Sequence, residues 1–146
     1  MKLLLIDTRK TIIACFAVMN IANGLAQQKD TPAVKADKLL ETTTSWNGAK
    51  LPQYPEGEPQ INIIRYTIKP HTKMKTHRHA IINGGIMLKG ELTIVSETGE
   101  EKTFKAGDAL VETTGTWHYG ENKGDEPVEV VMFYAGAKGK ALSEAK

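Results

Sequence analysis

From residue 61 onward the sequence is a series of short β-rich segments separated by turn residues, and this pattern constrains the fold most. The first segment, Ile61–Lys69, alternates, with Ile64, Tyr66 and Ile68 on one face. Further segments follow at 86–88, 92–95, 102–105, 109–112 and 126–134. Evenly spaced short strands without a convincing amphipathic helix predict an all-β fold, either a sandwich or a barrel.

The residues before this series divide into segments of different character. Residues 1–26 begin with basic residues, continue with a short apolar run and end with small residues, which predicts a signal peptide and export to the periplasm or the medium. The apolar run is much shorter than the roughly 20 residues of a membrane-spanning helix. We predict a flexible leader at 27–38, a β-domain at 39–136 that begins with a strand at Leu39–Trp46, and a loose C-terminal tail at 137–146.

Composition narrows the range of functions. Hydrophobic residues make up 40% of the chain and charged residues 25%, as in an ordinary globular domain. The only cysteine, Cys15, lies in the predicted signal peptide, so the exported chain has no thiol chemistry. Removing residues 1–26 takes away three of the 19 basic residues and one of the 17 acidic residues, which leaves 16 of each. We therefore expect neither nucleic-acid binding nor a membrane span in the mature protein.

Three of the four histidines have a spacing that suits a metal site. His77 and His79 are two residues apart, so on a strand both imidazoles project from the same face. Neutral imidazole is a ligand for zinc, iron, copper and nickel. The pair alone is a weak signal, because it also occurs on ordinary polar strand faces. His71 directly follows Pro70 and is predicted to be a surface or rim residue.

The spacing around the histidines matches a known pattern. His77 and His79 are followed by three residues, Asn83, six residues and Gly90. A second run has Gly107, then Thr113, Gly115, His118 and Asn122 at intervals of five, one, two and three residues. These two runs resemble the signature motifs of the cupin superfamily, whose members are small jelly-roll barrels. The resemblance covers about Ile61 to Ala135. Two positions differ: Thr113 replaces the usual proline, and Asn83 replaces the usual metal-binding glutamate.

The resemblance implies a ligand set and an assembly. His77, His79 and His118 occupy the ligand positions for one divalent transition metal (iron, zinc, nickel or manganese), and Asn83 occupies the position of a weaker fourth ligand. Single-domain cupins commonly pair, so a homodimer is expected, with Trp46 as a candidate contact. Trp117 and Tyr119 flank His118 and should face away from the metal.

The missing glutamate affects the expected chemistry. Three neutral imidazoles and an amide would leave a divalent ion with its full formal charge, which favours an anionic or chelating substrate. Glu91 and Glu112 are predicted to be solvent-facing strand residues. The less favoured alternative is that Asn83 marks a degenerate site that has lost its metal.

Two classes of function remain open. One is a metal-dependent enzyme, of dioxygenase, lyase or isomerase type, that acts on a small polar or anionic molecule. Its proton donor or base is not evident, and Tyr66 and Tyr134 are weak candidates for which core packing is the simpler role. The other is a non-catalytic module that binds a small ligand or the metal itself. A deep apolar pocket with a second proton donor would favour the enzyme.

Overall fold

All regular secondary structure in residues 33–146, the part of the chain that the computed structural model describes, is β-strand. The predicted signal peptide (1–26) lies outside these residues, as does the first half (27–32) of the predicted leader (27–38). The strands are β1 (Pro59–Ile68), β2 (Thr72–Lys73), β3 (His77–Arg78), β4 (Ile82–Lys89), β5 (Glu91–Ser96), β6 (Glu101–Lys105), β7 (Ala109–Val111), β8 (His118–Asn122), β9 (Val128–Ala137) and β10 (Glu144–Ala145). No helix within residues 33–146 is long and apolar enough to cross a membrane.

The strands form two antiparallel sheets. The first has the order β1-β9-β4-β7, and the second has the order β10-β3-β8-β5-β6, with β2 also paired to β8. Neighbours in each sheet are mostly distant in sequence, as in a jelly roll rather than a simple meander. The predicted all-β jelly-roll fold is therefore confirmed.

The hydrophobic core lies between the sheets and follows from strand alternation. On β1, Ile64 and Tyr66 pack against the core and Ile68 is buried, while Arg65 and Thr67 are exposed, as predicted. The buried core residues are Ile68, Ile81, Met87, Leu92, Ile94, Phe104, Leu110, Val128, Val130, Met132 and Tyr134. Asn122, the last residue of the second motif, donates hydrogen bonds to the carbonyl oxygens of Ile68, Lys69 and Glu126. These bonds connect β8 to the end of β1 and to the segment before β9.

The prediction of a first strand at Leu39–Trp46 is wrong. In this segment only Thr44 makes a bridge, to Lys50, and a turn follows in which Gly48 N donates to Ser45 O. The cause is local: the hydroxyl of Thr42 bonds to Thr44 O, so the side chain competes with ladder pairing. Trp46 nevertheless packs against the core, and its backbone N donates to Val111 O.

The C-terminal segment, which the sequence predicts to be loose, makes specific contacts in this structure. Strand β10 pairs with β3, which places Ala145 opposite His77. Arg78 and Glu144 form an ion pair, with 2.7 Å between Nη2 and the carboxylate. The chain end therefore lies beside the histidine pair.

Candidate metal centre

The fold brings the three predicted ligand residues together. His77 lies on β3 directly opposite His118, the first residue of β8. His79 follows β3 and makes an isolated bridge with Thr114. Each imidazole offers a nitrogen, and these nitrogens lie within 4.8 Å of one another. Ring centroids are separated by 4.7 to 5.2 Å, so the three rings surround one point.

Backbone contacts orient all three rings in the same way. The Nδ1 atoms of His77, His79 and His118 lie 2.8, 2.7 and 2.9 Å from the carbonyl oxygens of Lys75, Leu142 and Thr116. A carbonyl oxygen can only accept, so each Nδ1 carries a proton, and a ring in its neutral form has its lone pair on Nε2. The Nε2 atoms of His79 and His118 are buried and have no hydrogen-bond partner among the described residues. A hydrogen bond from one ring nitrogen to a backbone carbonyl, which leaves the other nitrogen for the ion, is typical of metal-binding histidines. The residues present therefore fit a divalent ion.

The prediction that Glu112 faces solvent is wrong. Its side chain is only 13% exposed, and one carboxylate oxygen lies 2.9 Å from His79 Nε2. The other lies 3.6 Å from His118 Nε2. Alternation from the buried Leu110 on β7 points Glu112 inward too, and this signal was present in the sequence. Glu91, by contrast, is exposed and pairs with Lys105, as predicted for a solvent-facing residue.

Asn83 lies beside this carboxylate. It is buried on β4, where its side-chain nitrogen donates to Glu112. The backbone N of Glu112 donates in turn to Asn83 O, 3.2 Å away. The amide that replaces the usual glutamate is thus bonded to a glutamate from the neighbouring strand.

The pKa values of the ionisable groups in the site depend strongly on their neighbours. Burial alone would raise the pKa of Glu112, but contacts with His118 and His79 hold that pKa well below its usual range. Burial would lower the pKa of His79, yet the Glu112 carboxylate raises it above the ordinary value. The pKa of His77 is lowered, mainly by burial. In the metal-free protein, His79 and Glu112 therefore each favour the charged form of the other.

A cavity of about 280 Å³ opens beside the histidines. Its wall is mainly apolar and includes Leu92, Leu110, Val130 and Met132, and the exposed residue Lys75 also lines it. The cavity also contains the two tyrosines considered from the sequence. Their hydroxyl oxygens are 3.1 Å apart, and the Tyr134 ring centroid lies 5.7 Å from that of His79. Burial, together with the Tyr66 bond, raises the pKa of Tyr134 far above its usual value, so its phenol stays protonated.

Trp117, Tyr119 and His71 lie outside this centre. Trp117 and Tyr119 are on the outer face of β8 and its preceding loop, where Arg78 stacks on Trp117 and Lys73 lies over Tyr119. Both placements agree with the sequence analysis. His71 is exposed and pairs with Asp125, which confirms its prediction as a surface residue.

Comparison with known families identifies the motif-bearing region. A family model described as "Cupin domain" matches residues 64–134. This match includes the three clustered histidines, Asn83 and Glu112. No curated protein matches the sequence.

Solved structures with a similar fold include proteins of different activity. An uncharacterized conserved protein with a double-stranded β-helix domain from Klebsiella pneumoniae is 24% identical, with a TM-score of 0.50 over 63% of this chain and 90% of its own. An oxalate decarboxylase from Lactobacillus farciminis is 20% identical, with a TM-score of 0.51 over 58% of this chain and 26% of its own. The DMSP lyase DddQ from Ruegeria pomeroyi is 16% identical, with a TM-score of 0.52, and the shares are 59% and 43%. These likenesses show the fold.

Proposed function

Because this chain belongs to the cupin superfamily, we propose that it is a metal-dependent enzyme that acts on a small molecule in the cavity beside His77, His79 and His118. The observation that carries the proposal is the shared orientation of the imidazoles, each with Nδ1 bonded to a backbone carbonyl. A divalent transition metal, when bound, would supply a Lewis acid and an open coordination position.

The cavity supports catalysis over simple binding. It is lined mainly by apolar side chains, so a substrate there would be shielded from water. Tyr134 is the best-placed hydrogen-bond donor, because its hydroxyl lies 3.1 Å from that of Tyr66 and its raised pKa keeps the phenol protonated. We propose that Tyr134 donates a hydrogen bond to a substrate oxygen and that Tyr66 fixes its direction.

The lining also indicates a substrate class. We propose a small molecule with a polar or anionic group and an apolar remainder. The group would lie beside the histidines, within reach of Tyr134, and the remainder would contact Leu92, Leu110 and Met132. Lys75 at the cavity wall would favour an anionic group. Oxidative, lyase and isomerase reactions on such molecules all agree with this arrangement.

Turnover by the metal-loaded protein tests the proposal. The purified protein, loaded separately with iron, manganese, nickel or zinc, is assayed for oxygen uptake and for cleavage or isomerisation of small hydroxy, keto and carboxylic acids. We expect turnover with one metal, and Tyr134→Phe should retain the metal but lose about a hundredfold or more of the rate. Ligand binding without turnover for any metal would instead favour the non-catalytic binding module.

Two further proposals concern the setting of the enzyme. We propose export through residues 1–26, which is supported by the basic start, the apolar run and the absence of cysteine after Cys15. The mass of the protein recovered from outside the cytoplasm tests this directly, since cleavage would remove about 26 residues.

We also propose a homodimer through the outer face of the first sheet, where Ile63 and Phe133 are exposed neighbours.

A further inference from the structure

Glu112 occupies a position that the metal site itself would use. We infer that Glu112, the residue that follows β7, is the carboxylate ligand of this site, and that Asn83 on β4 positions Glu112 rather than ligating. The inference rests on the proposed metal function and specifies its ligand set.

A carboxylate that only supports a histidine ligand binds the ring nitrogen remote from the metal. That role is already filled here, because Nδ1 of His79 bonds to Leu142 O and Nδ1 of His118 bonds to Thr116 O. Glu112 instead approaches both rings at Nε2, the nitrogen that would face the ion. The carboxylate is therefore on the metal side of the histidines.

The separations are those of atoms that share an ion. Metal–nitrogen and metal–oxygen bonds of about 2.1 Å place neighbouring ligand atoms about 3.0 Å apart at 90° and about 3.4 Å apart at tetrahedral angles. The carboxylate oxygens of Glu112 lie 2.9 Å from His79 Nε2 and 3.6 Å from His118 Nε2. Neither Nε2 is aligned for a hydrogen bond, although one oxygen is within bonding distance. The Glu112 carboxylate therefore lies at about the distance from both nitrogens that separates two ligands of one ion.

Strand register explains how Glu112 reaches the site. Gly84 on β4 pairs with Val111 on β7, so the preceding residue, Asn83, lies across from Glu112. A carboxylate can only accept, which means that the bond between them requires the Asn83 nitrogen to face Glu112. Asparagine at position 83 therefore holds a glutamate in place, whereas a glutamate there would repel it.

This ligand set changes the charge of the site. Three neutral imidazoles and one carboxylate reduce the formal charge of a bound divalent ion from +2 to +1. The sequence predicted a site without a carboxylate, in which the ion would keep its full charge. With Glu112 as a ligand, the net charge equals that of a site with the usual motif glutamate. The residue that supplies this charge is 29 positions further along the chain.

Titration with Co²⁺ tests the assignment without reference to activity. The purified protein is compared with Glu112→Gln, which keeps the size but removes the charge, with Glu112→Asp, which keeps the charge, and with His79→Ala. Glu91→Gln is the matched control, because Glu91 is an exposed glutamate away from the site. Affinity is obtained from the titration, and the visible absorption of bound Co²⁺ reports the number and type of its ligands. Circular dichroism shows which variants are folded.

We expect Glu112→Gln to lose at least about tenfold in Co²⁺ affinity and to change the absorption, with Glu112→Asp between it and the wild type. Wild-type affinity and absorption in Glu112→Gln, with loss of binding in His79→Ala, would overturn the inference and leave the proposed function intact. Weaker binding with unchanged absorption would also overturn it, since Glu112 would then lie outside the ligand set. Unchanged binding in His79→Ala would instead refute the metal site itself.

Discussion

The Nδ1 atom of His79 donates to the carbonyl oxygen of Leu142, 2.7 Å away and 63 residues further along the chain. The C-terminal segment therefore orients a candidate metal ligand, in addition to pairing with β3 through β10. Ser143 and Ala145 from the same segment line the cavity. The chain end is thus part of the site.

A chain that ends at Lys140 should bind metal about tenfold or more weakly, because the His79 ring loses the acceptor that fixes its orientation. Calorimetric titration with Zn²⁺ measures the change. Glu144→Gln is the control: it breaks only the ion pair with Arg78, whose side chain is 42% exposed, so affinity should stay near that of the wild type. Equal affinity in the shortened and full-length chains would exclude a role for Leu142.

Stability of the metal-free protein should depend on pH through His79 and Glu112. A raised histidine pKa stabilises the fold below the unfolded value of 6.5, and this contribution is lost as pH rises through the folded pKa. A lowered carboxylate pKa stabilises the fold above 4.5, and this contribution is lost as pH falls through the folded pKa. The contribution of the pair is therefore greatest between pH 4.5 and pH 6.5.

Urea unfolding in the presence of a chelator measures this effect. The free energy of unfolding should be higher in the wild type than in Glu112→Gln at about pH 5.5, by on the order of 1–3 kcal/mol, and the difference should shrink by about pH 9. Glu91→Gln, which alters an exposed carboxylate, should show little difference at either pH. A difference that grows with pH would contradict this mutual stabilisation of the charges on His79 and Glu112.

Close packing between β4 and β9 should make Gly85 intolerant of a side chain. A Cβ atom at this position would lie 2.2 Å from Val131 O and 2.4 Å from Met132 Sδ. We expect Gly85→Ala to lower the free energy of unfolding by about 1–3 kcal/mol. At Gly124 the nearest atom is 3.5 Å away, so Gly124→Ala should change it by less than about 0.5 kcal/mol. Similar stability in the two variants would show that the sheet shifts to accept the methyl group.

The exposed apolar face of the first sheet should mediate dimer formation. Ile63 and Phe133 are paired neighbours with 67% and 44% exposure, which is unusual for large apolar residues side by side. Phe133→Glu should therefore convert a dimer into a folded monomer, and light scattering after size exclusion detects the change. The control Lys140→Glu also replaces an exposed residue and should stay dimeric. A wild-type monomer at micromolar concentration would refute the proposed assembly.

Local patterns predicted most of the fold and the three clustered histidines. Alternation identified the inward face of β1 and put His77 and His79 on one strand face, and the cupin motif added His118 to them. These features depend on residues close together in sequence or on a motif. They are therefore readable from the chain alone.

The missed features depend on which strands become neighbours. Asn83 meets Glu112 only because β4 pairs with β7, and His79 meets Leu142 only because the chain end returns to β3. The segment before Trp46 failed as a strand for the opposite reason, since local hydroxyl bonds outweighed its β propensity. The periodicity of hydrophobic residues predicts neither which distant strands pair nor where side chains compete with backbone hydrogen bonds.

Metal content of the untagged protein, measured by elemental analysis beside His79→Ala, tests the central claim most directly. We expect about one equivalent of a divalent transition metal in the wild type and a large loss in the variant, because the substitution removes one of three convergent imidazoles. Absence of metal from both proteins, even after reconstitution with iron, zinc, nickel and manganese, would contradict the account.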